Sequence, residues 1–173
     1  GKIHSEYGYL KGTINPLNFY ALSKATVDYW VMDNMDRFEQ VQGFRYFNVY
    51  GEGEEHKGDQ ASPISKFTKQ ARENDIIKIF EDSEYAFRDF VCVDDVVDVV
   101  LDNTAGSGIY DVGTGNPISF LEIAELIAKK EGAEIEVIPF PKHLEGKYQE
   151  YTCADTSWSV SYTHLRAHET WSY

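Results

Sequence analysis

The sequence predicts an α/β fold, and three observations carry that prediction. Short segments rich in β-branched and aromatic residues alternate with helical segments along the chain. The helical segments open on Pro or on a capping side chain. The 173 residues are 42% hydrophobic and 14% aromatic, which allows a sizeable core and is too apolar for a disordered chain. Partly parallel strand pairing is expected from the alternation.

The elements follow in order. Asn15-Pro16 is a helix entry, and a long helix is predicted over 17–35. QGFRYFNVY, residues 42–50, reads as one strand that stops at Gly51. A polar loop with Gly51, Gly53 and Gly58 runs to residue 60. Ser62-Pro63 opens a second helix that ends near Asn74. Strands are expected over 76–80 and 87–93, and Asp94-Asp95 is expected to cap a helix over 96–101. A strand over 108–112 leads into Gly113-Thr114-Gly115, read as a tight turn and not as a phosphate cradle, because Pro117-Ile118-Ser119 follows where a further Gly is needed. Ser119-x-x-Glu122 is a capping-box pattern for a helix ending at Gly132. A last strand is expected over 135–138, stopped by Pro139 and Pro141. Residues 158–173, WSVSYTHLRAHETWSY, show no clear period and are expected to be a non-native or read-through tail.

Charge excludes some functions. Asp and Glu total 29 against 16 Lys and Arg, a formal net charge of −13. Non-specific nucleic-acid binding and docking on anionic membranes both need the opposite sign. No apolar run approaches the roughly 20 residues of a membrane helix. Cys92 and Cys153 form no C-x-x-C pair, so a reducing cytoplasm is the expected compartment and no disulfide framework is expected. His164 and His168 have the i, i+4 spacing of a metal pair but no third ligand, so no metal is expected.

Tyr-x-x-x-Lys occurs at Tyr7/Lys11 and at Tyr20/Lys24. With 12 tyrosines in the chain, about one chance match is expected, so the bare pattern is weak. Tyr7 and Lys11 lie in a Gly-flanked stretch and are not expected to face each other. Tyr20 and Lys24 lie in the predicted helix, where positions four apart share a face. An ammonium near a phenol favours the phenolate, which suits proton exchange near neutral pH. The plain alternative is an amphipathic helix with a half-buried Tyr and a surface Lys.

The run from Asn15 to Lys24, NPLNFYALSK, resembles the active-site helix of the extended short-chain dehydrogenases/reductases. Gly43 to Gly51 (GFRYFNVYG), Arg88 to Val96 (RDFVCVDDV) and Tyr110 to Gly115 (YDVGTG) resemble that superfamily as well, in its order. Phe47 to Gly51, Glu55-His56-Lys57-Gly58, Ala61-Ser62, Phe80 to Glu84 and Gly146 to Gln149 are similar to the ADP-heptose 6-epimerases within it. The resemblance covers about residues 5–156.

That resemblance implies an epimerisation at C6 of an ADP-heptose by transient oxidation, with NADP or NAD as cofactor, for lipopolysaccharide inner-core synthesis. Tyr20 is implied as one acid/base, Lys24 as the residue that holds the nicotinamide ribose, and Lys57 as a second base on the opposite face of the sugar. Two groups are needed because one cannot readily serve both orientations of a transient ketone. Lys24, Val49 and Lys57 are implied as cofactor contacts. Asn48, Lys66, Phe80, Glu81, Asp82, Ser83, Arg88 and Tyr148 are implied as substrate contacts, with Arg88 matching the Arg that meets the diphosphate, which its fork binds bidentately. Asp59 and Lys66 depart from the family pattern, standing where a small hydroxyl residue and a His are expected. Plain alternatives exist for several: Lys57 neutralising Glu52, Glu54, Glu55 and Asp59, Arg88 in a salt bridge, Tyr148 in packing.

The chain lacks the Gly-rich dinucleotide fingerprint and the strand-borne Ser/Thr element of that superfamily. The expectation is a C-terminal part of an extended short-chain dehydrogenase/reductase Rossmann-like domain plus a small α/β substrate-binding domain. Residues 1–50 would be the remnant of the dinucleotide-binding domain, and 51–157 mainly substrate-binding domain with returning Rossmann elements. Little activity is expected from the fragment alone, and a homo-oligomer is expected at full length. A 4-epimerase, a 4,6-dehydratase and a non-catalytic nucleotide-sugar-binding domain are the alternatives.

Overall fold

The structure is a computed structural model that describes Pro16, residues 19–142 and residues 150–157. Helix α1 is Phe19–Asp33. Strands β1 (Gln42–Tyr46) and β2 (Asn48–Tyr50) follow, then helix α2 (Pro63–Asn74). Strand β3 is Ile76–Phe80, β4 is Phe87–Arg88 and β5 is Phe90–Cys92. Helix α3 (Val93–Asp102), strands β6 (Gly108–Val112) and β7 (Ile118–Ser119), helix α4 (Phe120–Glu131) and strand β8 (Glu134–Ile138) complete the order. The fold is α/β, with three parallel pairs and one antiparallel pair among the described strands. β1 pairs with β6, β2 with β5 and β3 with β8, all parallel, while β4 and β7 run antiparallel.

Two predicted strands are each divided in two. Within 42–50, the Phe47 amide donates to the Val112 carbonyl at 3.0 Å, and the next amide, Asn48, donates to the Asp89 carbonyl at 2.9 Å. The chain thus leaves β6 and joins β5 within one residue. Within 87–93 the same change happens at Asp89, between an antiparallel partner and a parallel one. Side-chain character continues across both breaks, so composition cannot reveal them. The expected Asp94-Asp95 cap is also corrected. Cys92 is the N-cap of α3 and makes no side-chain cap bond, and both acids lie in the first helical turn, where negative charge favours the helix N-terminus.

Other expectations hold. Ser62 caps α2 by accepting from the Ser65 amide at 3.2 Å, with Pro63 in the first turn. The Ser119 capping box is complete, and α4 ends on Gly132 at φ 78°.

One core cluster lies where α2 and α4 cover β3, built on Ile64, Ile77, Ile79, Phe90, Phe120, Ile123 and Ile127. A second lies against α3: Val91, Val96, Val99 and Val112, with Phe44 and Val49 packed on it. β1 and β2 therefore share core with strands far along the chain. Among the described residues no helix is long and apolar enough to cross a membrane.

Candidate functional site

Helix α1 places Tyr20 and Lys24 one turn apart on one face. The Lys24 ammonium sits 5.3 Å from the centre of the Tyr20 ring. Tyr20 is 71% exposed, and Ala25 is the buried residue of this helix. Asp28, two turns further on, accepts from Arg45 Nε of β1 at 2.8 Å, and Arg45 Nη1 reaches Asp111 of β6 at 3.4 Å. This chain of charges ties the helix to two strands roughly 12 Å along its axis from Tyr20. Burial pushes the Asp111 carboxyl up to about 6, against the pull of the Asp155 amide and of Arg45.

Asn48 and Val49 are half-buried on β2, Asn48 as its first residue, and the carboxyl end of the strand is the edge where ligands sit in open α/β sheets. The loop that leaves this edge is organised by Glu54, named from the sequence only as one of four acids around Lys57. Its side chain is 6% exposed. Oε1 accepts from the Gly51 amide at 3.2 Å and from Ser62 Oγ at 2.8 Å, and Oε2 accepts from the Ser62 amide at 2.7 Å. Lys57 Nζ lies 3.7 Å from Oε2, while the Lys57 side chain stays 43% exposed. Of the acids around Lys57, it is Glu54 that pairs with it. Gly58 next to it sits at φ 51°, ψ −122°, a conformation that only Gly adopts without strain.

Lys66 is half-buried on the first turns of α2. The segment after β3 is a tight turn. Glu81 donates its amide to the Ile138 carbonyl at 2.9 Å, Asp82 stands at φ 62°, and buried Ser83 donates its hydroxyl to the Phe80 carbonyl at 2.6 Å. The Phe80 ring meets Phe140 edge-on at 5.6 Å. Glu81 and Asp82 point their exposure to solvent, so this turn presents acids and backbone, with the Ser83 hydroxyl used internally.

Arg88 is 7% exposed. Its Nη1 donates to the Phe87 carbonyl at 2.7 Å, and its guanidinium lies 5.4 Å from the centre of the Phe120 ring. The neighbouring Asp89 is fully buried. It accepts from the amides of Thr114, Gly115 and Ala154 at 2.8, 2.9 and 3.0 Å, and from Thr114 Oγ1 at 2.7 Å. Gly113-Thr114-Gly115 is therefore a turn wrapped around an internal carboxylate, as expected of a turn and not of a phosphate cradle. A Cβ at Gly113 would stand 2.7 Å from both Asp89 Oδ2 and Ala154 Cβ.

Two clusters thus come together, Tyr20 with Lys24 and Lys57 with Glu54. No hydrogen bond or ion pair joins them among the described residues. Tyr148, with the Gly146 to Gln149 match, Tyr7/Lys11 and His164/His168 lie outside the described residues. A cavity of about 50 Å³ between α2 and α4, beside Tyr50, Ile64 and Ile127, is far smaller than a nucleotide-sugar site. An open depression of about 680 Å³ is lined by Phe38 to Gln40, Gly106 and Ser107. It lies at the amino ends of β1 and β6, the edge opposite the one that carries ligands. Among the described residues no group of three His, Cys, Asp or Glu is placed to hold a metal.

The organising roles of Glu54 and Asp89 were not expected from the sequence. Asp89 had a signal, since a lone acid inside an apolar run must find donors. Glu54 had none, being one of several acids in a polar loop.

Comparison with known proteins places these features. The family described as "NAD dependent epimerase/dehydratase family" matches residues 2–113. ADP-L-glycero-D-manno-heptose-6-epimerase of Alkalilimnicola ehrlichii is 45% identical over 152 residues, covering 82% of this chain and 48% of that protein. The enzyme of the same name from Brachyspira hyodysenteriae is 46% identical over 147 residues, covering 81% and 46%. The crystal structure of the Helicobacter pylori ADP-L-glycero-D-manno-heptose-6-epimerase superposes with a TM-score of 0.72 at 26% identity, covering 90% of this chain and 49% of that one. The chain spans about half the length of the curated relatives it matches. With the Tyr-Lys face on α1, parallel strands ending at one edge and a family match over most of its length, the chain belongs to the NAD dependent epimerase/dehydratase family.

Proposed function

We propose that this chain carries the Tyr-Lys helix and the second-base loop of an epimerase that inverts C6 of the heptose in ADP-D-glycero-D-manno-heptose, giving ADP-L-glycero-D-manno-heptose for the lipopolysaccharide inner core. One observation carries the reading above the others. The Glu55-His56-Lys57-Gly58 loop leaves the carboxyl end of β2 with Lys57 paired yet still half-exposed, and the relatives that match at 45% and 46% identity act on this sugar by name. Residues 1–50 belong in this reading with the dinucleotide-binding half and 51–157 mainly with the substrate half. The cytoplasm is the compartment, and the full-length protein is a homo-oligomer.

The residues present suit a nicotinamide dinucleotide. Lys24 is an exposed ammonium with no acid partner among the described residues, on the same helix face as an exposed phenol. Lys24 would hold the nicotinamide ribose, with Val49 and Lys57 as further contacts. NADP is the form we favour, with NAD as the second choice. When bound, such a cofactor would supply reversible hydride acceptance at the sugar carbon.

The chain's own part is proton handling and placement. Tyr20 takes the hydroxyl proton in one orientation of the sugar, with the Lys24 ammonium 5.3 Å from the centre of its ring. Lys57 returns or removes the proton when the transient ketone presents its other face. Asn48 orients the sugar at the strand end. Phe80, Glu81, Asp82 and Ser83 border the ADP moiety through backbone and turn. Arg88 and Lys66 meet phosphate charge, and Tyr148, outside the described residues, is a further substrate contact. In a protein with a net charge of −13, an anionic ligand depends on such placed cations and not on bulk attraction.

The test is turnover of ADP-heptose by the full-length protein. Tyr20→Phe and Lys57→Met should each cut kcat by about 10² to 10⁴, the usual worth of one acid/base group, while calorimetry still detects ADP-sugar binding. A Lys57→Met protein with undiminished kcat would overturn the two-base reading in favour of a 4-epimerase-like or dehydratase arrangement. Binding without turnover in the unmodified protein would point to a non-catalytic nucleotide-sugar domain.

A further inference from the structure

We infer that Glu54 is a positioning residue, whose buried carboxylate closes the loop after β2 and holds the Lys57 ammonium over the strand edge. The inference rests on the reading of Lys57 as the second acid/base. It comes from what surrounds the carboxylate.

A buried carboxylate is costly unless it is paired or hydrogen-bonded. At 5% exposure Glu54 meets that demand with neutral donors. The Gly51 amide stands at the start of the loop, and the amide and hydroxyl of Ser62 stand at its end. The same Ser62 hydroxyl accepts from the Ser65 amide and starts α2, so Glu54 fixes the loop to a helix N-terminus and to the end of a strand at once. These donors carry no formal charge. The negative charge of Glu54 is therefore left for Lys57, whose Nζ lies 3.7 Å from Oε2. That distance is too long for a hydrogen bond, so the attraction restrains the ammonium without locking it. The backbone reinforces this, because the Lys57 amide donates to the Glu54 carbonyl at 2.9 Å. Lys57 is thus held at both its amide and its ammonium by one residue, with 43% of its side chain still open to solvent. Glu52, Glu55, His56 and Asp59 on the same loop are exposed, and none of them pairs with Lys57 among the described residues. Lys66 on α2 is half-buried.

The experiment is a double-mutant cycle in the full-length protein with ADP-heptose as substrate. Glu54→Gln loses the charge and keeps one acceptor oxygen for the Ser62 amide; its NH2 can donate to the Ser62 hydroxyl, while the Gly51 amide loses its acceptor. It should lower kcat about 10-fold with KM changed less than about 2-fold, because a misplaced acid/base costs the chemical step more than binding. Placed on Lys57→Met, it should lower kcat by less than about 2-fold further, since a residue that acts through Lys57 has nothing left to act on. Asp59→Asn removes a charge from the same loop and should leave kcat unchanged. If Glu54→Gln fails to fold, Ser62→Ala replaces it: it loosens Glu54 from one side, and its smaller loss in kcat, about 3-fold, should again vanish in the Lys57→Met background. A wild-type kcat for Glu54→Gln, or a loss that multiplies with that of Lys57→Met, overturns the inference while leaving the Lys57 reading intact. A fully active Lys57→Met instead overturns the reading on which it rests.

Discussion

Asp89, between β4 and β5, and Glu54, in the loop after β2, are two buried carboxylates that do opposite things with their charge. Asp89 collects three amides and a hydroxyl and is fully enclosed. Glu54 collects two amides and a hydroxyl and keeps a cation within 3.7 Å that is open to water. The difference lies in the partners. Asp89 joins three separate stretches of backbone, which makes it a rigid knot. Glu54 joins the two ends of one loop, so what it holds is the loop's own Lys57. A buried acid that bridges distant segments stabilises a fold, and one that bridges near segments can present a side chain.

The sharpest way to break this comparison is Asp89→Ala. It leaves the Thr114, Gly115 and Ala154 amides without their acceptor, and at about 1–3 kcal/mol for each buried group left unpaired, stability of the full-length protein should drop by about 4 kcal/mol or more in denaturant unfolding. A drop no larger than that of Glu54→Gln would erase the distinction.

Next in size is a pH effect next to the knot. Asp111 accepts from the Asp155 amide at 3.3 Å, one residue from the Ala154 amide that Asp89 holds. Its carboxyl is raised from 3.8 to about 6, chiefly by burial. Between about pH 4 and 6 the folded state therefore binds more protons than the unfolded state. The stabilisation is complete below about pH 4 and is lost as pH rises through 6, a span of about 3 kcal/mol. Unfolding measured against pH should show this decline, and Asp111→Asn should flatten it.

The smallest of the three is Gly113→Ala. The new Cβ would press on Asp89 Oδ2 and Ala154 Cβ, each 2.7 Å away, and overpacking of this kind costs about 2 kcal/mol. The thermal midpoint should fall accordingly, with kcat for ADP-heptose little changed. A loss of activity without loss of stability would mean that the knot also shapes the ligand edge.

Much of the fold was legible in the chain because its signals are local. Ser62-Pro63 and the Ser119-x-x-Glu122 box set two helix starts, since a cap satisfies amides a few residues away. The Tyr20/Lys24 face follows from helical spacing alone. The breaks at Phe47 and Asp89 were not legible, because they mark a change of hydrogen-bonding partner 30 or more residues distant and leave the alternation of side chains intact. The early start of α3 escaped for a smaller reason: Cys92 caps it by backbone conformation without a side-chain bond.

By itself, then, the sequence determined the elements, their α/β order, the Tyr-Lys pair and the family motifs, all of which depend on neighbours along the chain or on recurring local runs. Only the tertiary structure decided which acid near Lys57 goes inside and which stay in water. Glu52, Glu54 and Glu55 are chemically alike, and their fates part because Ser62 and Gly51 converge on one of them. Burial of a charge is decided by the donors that folding brings to it, and those donors belong to other segments of the chain.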